Sequence, residues 1–277
     1  MDSLVSTQWL DQHLGERGLV VVDSSWHMPA LGRSGREEFI AAHIPGARFL
    51  DIDALSDHSF PSPHMLPRAA EFGAAMAEIG IDRDDRIVVY DNSAIRTAAR
   101  GWFMLRRFGA RHVAILDGGL QKWTAEGRAT ESGEPESRRA TFAAEERPDY
   151  AVKKQQILDG AGCALVDARS KGRFEATEPE PRPGVAGGHI PGARNLPFGL
   201  LYDERGRFKP PEELRRLFAE AGIDPAQPFI ASRGSGVTAT SLIFAPHLLG
   251  YDSGKLYDGS WTDWGSDPST PKAVGPA

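Results

Sequence analysis

The chain repeats itself at long range, and that repetition constrains its fold more than any other feature. A-H-I-P-G-A-R at 42–48 recurs as G-H-I-P-G-A-R at 188–194, and A-E-I-G-I-D at 77–82 recurs as A-E-A-G-I-D at 219–224. L-D-G-G-L-Q-K-W at 116–123 returns as Y-D-G-S-W-T-D-W at 257–264, and V-V-D at 21–23 as L-V-D at 165–167. The four anchors keep their order, at offsets between 141 and 146 residues. A period that long marks two copies of a whole domain, not a solenoid of units of roughly 20–45 residues. The 277 residues are therefore expected to form a first domain over 1–130 and a second over 149–277. The polar, aperiodic stretch 128–148 separates them, with 131–148 as the linker.

Within each copy, short apolar runs alternate with amphipathic stretches. L-V-V-V-D at 19–23, R-I-V-V-Y-D at 86–91 and V-A-I-L-D at 113–117 are matched by C-A-L-V-D at 163–167, P-F-I-A-S at 228–232 and K-L-Y-D at 255–258. Runs of four or five largely β-branched residues between helical patterns predict buried parallel strands, so each domain is expected to be α/β: a small, mostly parallel sheet with helices on both faces. Ligands of such sheets bind beyond the carboxyl ends of the strands. The loop after 228–232, R-G-S-G-V-T at 233–238, is where chemistry is expected.

Composition excludes several alternatives. A net charge of −6 without a Lys/Arg tract gives no electrostatic support for a nucleic-acid or anionic-membrane partner. The N-terminus shows no basic segment leading into an apolar core, and no apolar run is long enough to span a bilayer, which predicts a cytoplasmic protein. One cysteine, Cys163, allows no intrachain disulfide, and the eight scattered histidines have no metal-ligand spacing. Neither a metal nor another cofactor is expected.

H-I-P-G-A twice, G-R-F-E-A-T-E-P-E-P-R at 172–182, G-S-G-V-T-A at 234–239 and Y-D-G-S-W at 257–261 together resemble the two-domain rhodanese-like sulfurtransferases, and within them the 3-mercaptopyruvate sulfurtransferases. The resemblance covers essentially the whole chain and implies two tandem rhodanese-like domains, of which only the second is catalytic. It implies a small anionic sulfur donor, a cysteine persulfide formed at the head of the active loop, and a thiol acceptor such as thioredoxin, or cyanide. That loop typically reads Cys-Gly-Ser-Gly-Val-Thr in the mercaptopyruvate branch. Here it reads Arg233-Gly234-Ser235-Gly236-Val237-Thr238, with arginine at the nucleophile's position.

A glycine-rich turn between a strand end and a helix points successive N–H groups and the positive end of the helix dipole at one spot, which stabilises an anion or a thiolate. The resemblance assigns the carboxylate and keto group of the donor to Arg173 and Arg182, whose planar forks suit such groups. It assigns proton transfer beside the nucleophile to Ser235 and His43, while the aspartate associated with them falls on Ser34, with Glu37 or Glu38 as the nearest substitutes. Gly234, Gly236, Val237 and Thr238 complete the cradle. Asp91 stands opposite Arg233 in the first copy. Cys163, at the start of its strand, is expected to be a core residue. Asp258, Gly259, Trp261 and Trp264 are expected to serve packing, and Pro246 falls inside the helix that follows the loop, where an interior proline costs about 3 kcal/mol. These departures predict a protein without the persulfide reaction, or a non-catalytic module that binds small anions or 2-keto acids.

Overall fold

The structure, a computed structural model, describes every residue except Ser137, which falls within the expected linker and lies outside the described residues. The chain forms two compact units, each discontinuous in sequence. Unit 1 comprises Met1–Ser56, Leu66–Arg147 and Glu204–Phe208, and unit 2 comprises Asp57–Met65, Pro148–Asp203 and Lys209–Ala277.

In unit 1 the elements run β1 (Leu4–Val5), α1 (Thr7–His13), β2 (Leu19–Asp23), α2 (Gly35–Ala41), β3 (Arg48–Phe49), α3 (Ala69–Glu78), β4 (Arg86–Tyr90), α4 (Ala98–Arg107), β5 (His112–Leu116) and α5 (Gly119–Ala125). The sheet has the order β1-β5-β4-β2-β3, and every pairing is parallel. Alternate side chains explain why these strands are apolar throughout. Val21, Val88, Tyr90 and Ala114 meet Leu10 of α1, Phe39 of α2 and Trp123 of α5 on one face. On the other face α4 approaches so closely that a Cβ on Gly101 would stand 2.9 Å from Val89.

Unit 2 repeats the plan with β6 (Ala151–Val152), α6 (Lys154–Leu158), β7 (Ala164–Asp167), α7 (Lys171–Glu175), β8 (Arg194–Asn195), α8 (Pro211–Glu220), β9 (Phe229–Ser232), α9 (Ala239–Leu248), β10 (Gly254–Tyr257) and α10 (Ser260–Ser266). Its sheet, β6-β10-β9-β7-β8, is again wholly parallel. Leu165, Ile230 and Tyr257 pack under Phe174 of α7 and Trp261 and Trp264 of α10, while Ile243 of α9 lies against Gly254 on the opposite face. Both domains are thus α/β with helices on both faces of a parallel sheet, as the sequence predicts. Among the described residues no helix is long and apolar enough to cross a membrane.

The recurring H-I-P-G-A string is a turn. The Ala47 N–H donates to the Ile44 carbonyl (2.9 Å) and the Ala193 N–H to the Ile190 carbonyl (3.0 Å). Proline and then a glycine at φ +72° or +79° occupy the central positions that a type II turn requires. The preceding histidines anchor it: His43 stacks on Phe39 and donates from Nδ1 to the Phe39 carbonyl (2.7 Å), and His189 does the same with Phe174 (2.9 Å).

Helix α9 runs unbroken through Pro246, and every residue from Ala239 to Pro246 is buried. The proline lies in the last turn, where it forgoes one helical hydrogen bond and the helix ends two residues later, at Leu248. The cost expected of an interior proline is reduced accordingly.

Candidate active site

The site stands at the carboxyl end of β9, where the chain leaves Ser232 and re-enters a helix at Ala239. Its shape is set from behind by the D-G-S-W motif. The Trp261 N–H donates to the Arg233 carbonyl (2.6 Å) and the Thr262 N–H to the Gly234 carbonyl (2.9 Å), while the Arg233 N–H donates to Ser260 Oγ (3.1 Å). Ser260 holds the left-handed φ of +50° needed to present that oxygen, and its hydroxyl donates to the Tyr257 carbonyl. With its first carbonyls drawn back onto α10, the loop keeps its N–H groups for the front. Among the described residues, the N–H groups of Gly234 through Thr238 donate to no protein acceptor. Gly236 turns the chain at φ +78°, and Val237 and Thr238 are fully buried beneath it.

Three guanidinium groups surround this loop. Arg169, fully buried, is held by Asp167 (2.6 Å) and Glu180 (2.6 Å) and lies over the Trp261 ring at 4.6 Å. Arg173 donates from Nε and Nη2 to the same Glu180 (3.3 and 2.6 Å), and its Nη2 approaches Gly234. Arg233 differs from both. Its guanidinium stacks over Phe198 at 5.2 Å, its Nε is buried without an acceptor, and burial, aided by the Arg173 charge, pulls its pKa down to about 10. Arg182 is half-buried on the irregular segment that also carries Glu180 and is already engaged in contacts.

Ser235 Oγ lies 3.0 Å from Nδ1 of a histidine, and that histidine is His64. His64 is buried, holds a left-handed φ of +60°, and arrives on the segment Asp57–Met65 that belongs to unit 2.

The family model for the rhodanese-like domain matches residues 6–126 and again 151–267. The chain belongs to the rhodanese-like family. This rhodanese-like chain is 41% identical to the mouse (Mus musculus) 3-mercaptopyruvate sulfurtransferase over 271 residues, covering 95% of the chain and 91% of the mouse protein. It is 40% identical to the Escherichia coli K12 enzyme of the same name over 271 residues, covering 96% of each. The crystal structure of SseA from Escherichia coli, described as a 3-mercaptopyruvate sulfotransferase, superimposes with a TM-score of 0.86 at 38% identity over 94% of this chain and 99% of that one. The sulfur transferase subunit of yeast mitochondrial complex I does so with a TM-score of 0.89 at 30% identity over the whole of both chains.

Within this rhodanese-like fold, the expected site residues of unit 2 do come together around one loop: Gly234, Ser235, Gly236, Val237 and Thr238 form it, and Arg173 reaches it. His43 requires a correction. It belongs to unit 1, where its ring is spent on Phe39 and its backbone bridges to Glu131; the histidine on Ser235 is His64. The repeat held the signal. His43 recurs as His189, so its duty is one that both copies need, whereas P-S-P-H-M-L-P at 61–67 has no counterpart in the second half. Ser34 is the N-cap of α2, accepting the Glu37 N–H (3.2 Å). Glu38 is held by Arg33 (2.6 Å), which draws its carboxyl below the usual range, and by His27 (3.1 Å).

Cys163 precedes β7 and is level with the start of β9, since Ala164 pairs with Phe229 and Asp167 with Ser232. Four residues at about 3.3 Å each put it roughly 13 Å below the loop end of the sheet. Burial raises its thiol pKa, which disfavours the nucleophilic thiolate.

Proposed function

We propose that this chain carries the donor site of a 3-mercaptopyruvate-type sulfurtransferase and, with Arg233 at the head of the loop, does not run transfer through a cysteine persulfide. The relatives' names imply a small sulfur donor and an acceptor, which we extend to this chain as a small anionic donor such as 3-mercaptopyruvate or thiosulfate, and a thiol acceptor such as thioredoxin in the ancestral reaction. In that reading the N–H groups of Gly234–Thr238 stabilise negative charge, Arg173 and Arg182 orient the donor, and Ser235 with His64 moves a proton beside the loop.

The observation that carries the reading is the identity of residue 233. Persulfide formation needs a lone pair on sulfur to attack the donor's sulfur. A guanidinium titrating near 10 is protonated roughly a thousand to one at pH 7 and offers none. The remaining thiol, Cys163, sits at the other end of the strands. A second reading is favoured by the same half-buried cation: a non-catalytic module that binds small anions or 2-keto acids.

The test is release of pyruvate from 3-mercaptopyruvate with a thiol acceptor present. The unaltered chain is expected to give none above background, and Arg233→Cys is expected to gain turnover, because the N–H cradle, Ser235 and His64 are already in place. Turnover by the unaltered chain that persists in Cys163→Ala would overturn the proposal.

A further inference from the structure

The two copies of one loop differ in what fills them. In unit 1 the loop after β4 encloses the side chain of Asp91, one carboxylate oxygen accepting the Ser93 N–H (2.8 Å) and the other the Ala98 N–H at the start of α4 (2.7 Å). The backbone behind is pinned in the same way, the Leu120 N–H donating to the Asp91 carbonyl (3.0 Å) as the Trp261 N–H does to that of Arg233 (2.6 Å). Arg233 occupies the corresponding place in unit 2, and a guanidinium has only donors. It cannot accept from the loop N–H groups, which in unit 2 have no protein acceptor among the described residues.

Three further observations say that this loop suits a negative group. The Nε of Arg233 is buried without an acceptor, and so is the hydroxyl of Thr238, a fully buried residue at the N-cap of α9. The acids whose fields reach Arg233 are Asp167 and Glu180, and both are committed to other arginines: Asp167 to Arg169, and Glu180 to Arg169 and Arg173. A half-buried guanidinium whose Nε is shut off from water and whose charge has no counter-ion is stabilised by a ligand that supplies one.

We infer that the loop of unit 2 is completed by the carboxylate of a small 2-oxo acid, seated on the loop N–H groups and paired with Arg233, as the Asp91 carboxylate is seated in unit 1. The inference rests on reading the loop as one that forms no persulfide, and it moves the carboxylate from Arg173 to Arg233. A carboxylate rather than a tetrahedral oxoanion is indicated because Asp91 shows what the loop geometry accepts: a planar group whose two oxygens span a loop N–H and a helix-terminal N–H. A planar carboxylate also meets the planar fork of Arg233 at two points. Arg173, which spends Nε and Nη2 on Glu180, keeps Nη1 for the neighbouring keto oxygen.

The test uses the full chain and pyruvate as the probe, at constant ionic strength. Pyruvate is expected to shift the Gly234 and Gly236 amide resonances saturably, and sulfate at equal concentration to bind more weakly. Arg233→Gln is expected to weaken the pyruvate Kd by about tenfold or more, and Arg173→Gln by less, as loss of a charge-assisted pair exceeds loss of a single bond to a keto oxygen. Amides that do not move in the unaltered chain, sulfate binding as tightly as pyruvate, or a larger loss in Arg173→Gln than in Arg233→Gln would each overturn the inference. The amide measurement needs no variant, so a misfolded Arg233→Gln does not remove the test. Turnover of 3-mercaptopyruvate by the unaltered chain defeats the proposed function instead, and the two failures are read in separate assays.

Discussion

At the scale of single residues, the arginines of unit 2 show that burial and partnership act independently. Arg169 is fully buried, yet two carboxylates at 2.6 Å compensate its desolvation. Arg233, half-buried, has no such partner, and desolvation with the Arg173 charge nearby lowers its pKa to about 10, whereas in Arg169 ion pairing outweighs burial and leaves a net rise. Substitution by an uncharged residue of similar shape is expected to act with opposite sign at the two positions. In the absence of added anions, Arg233→Met removes an uncompensated charge while keeping the stem that packs on Phe198, and should stabilise unit 2 by about 1–2 kcal/mol. Arg169→Met strands Asp167 and Glu180 without their shared cation and should cost about 3–5 kcal/mol. Urea unfolding of both variants measures the pair. A destabilised Arg233→Met would mean that the guanidinium already has compensation inside the protein.

At the scale of elements, the unit that recurs is strand, loop, buried helix and a D-G-x turn that pins the loop from behind. In unit 1 that element is self-sufficient, because Asp91 satisfies the N–H groups of Ser93 and Ala98. Asp91→Ala leaves two buried N–H groups without acceptors and is expected to cost about 2–3 kcal/mol. Formate or acetate, being the excised group, should restore part of the loss at pH 8, which a thermal melt at constant ionic strength would register; equal effects of chloride would argue against a carboxylate-shaped vacancy. Much of this element was legible beforehand. The β-branched run at 19–23, the apolar run at 228–232, the glycines of the loop and the recurrence of D-G-G-L as D-G-S-W carried strands, turn and architecture. His64 and the segments 57–65 and 204–208 were not legible, for a physical reason. Repetition reports what both copies need for folding, and these segments each serve one copy only, so they fall outside the shared pattern.

At the scale of the whole molecule, duplication has left one buried aspartate with different partners in the two units. Asp23 and Asp167 are equivalent, each ending the strand beside the one that leads into the loop. Two residues on, unit 2 has Arg169, whose guanidinium pairs with Asp167, and unit 1 has Ser25, which offers the Asp23 carboxylate a backbone N–H at 2.8 Å. Burial without a cation, with Asp91 nearby adding to it, pushes the Asp23 carboxyl up to about 7, and burial raises that of Asp91 as well. An unfolded aspartate titrates near 4. Between about pH 4 and pH 7 the folded unit 1 therefore holds a proton on Asp23 that the unfolded chain has released, so stability falls as pH rises through that window, by about 1.4 kcal/mol per pH unit for one proton. Urea unfolding followed through resolved resonances of unit 1 should show this slope between pH 5 and pH 7. Asp23→Asn, which keeps the shape and removes the titration, should flatten it to the part that Asp91 contributes. A stability that rises with pH across the same interval would mean that Asp23 is ionised in the folded protein.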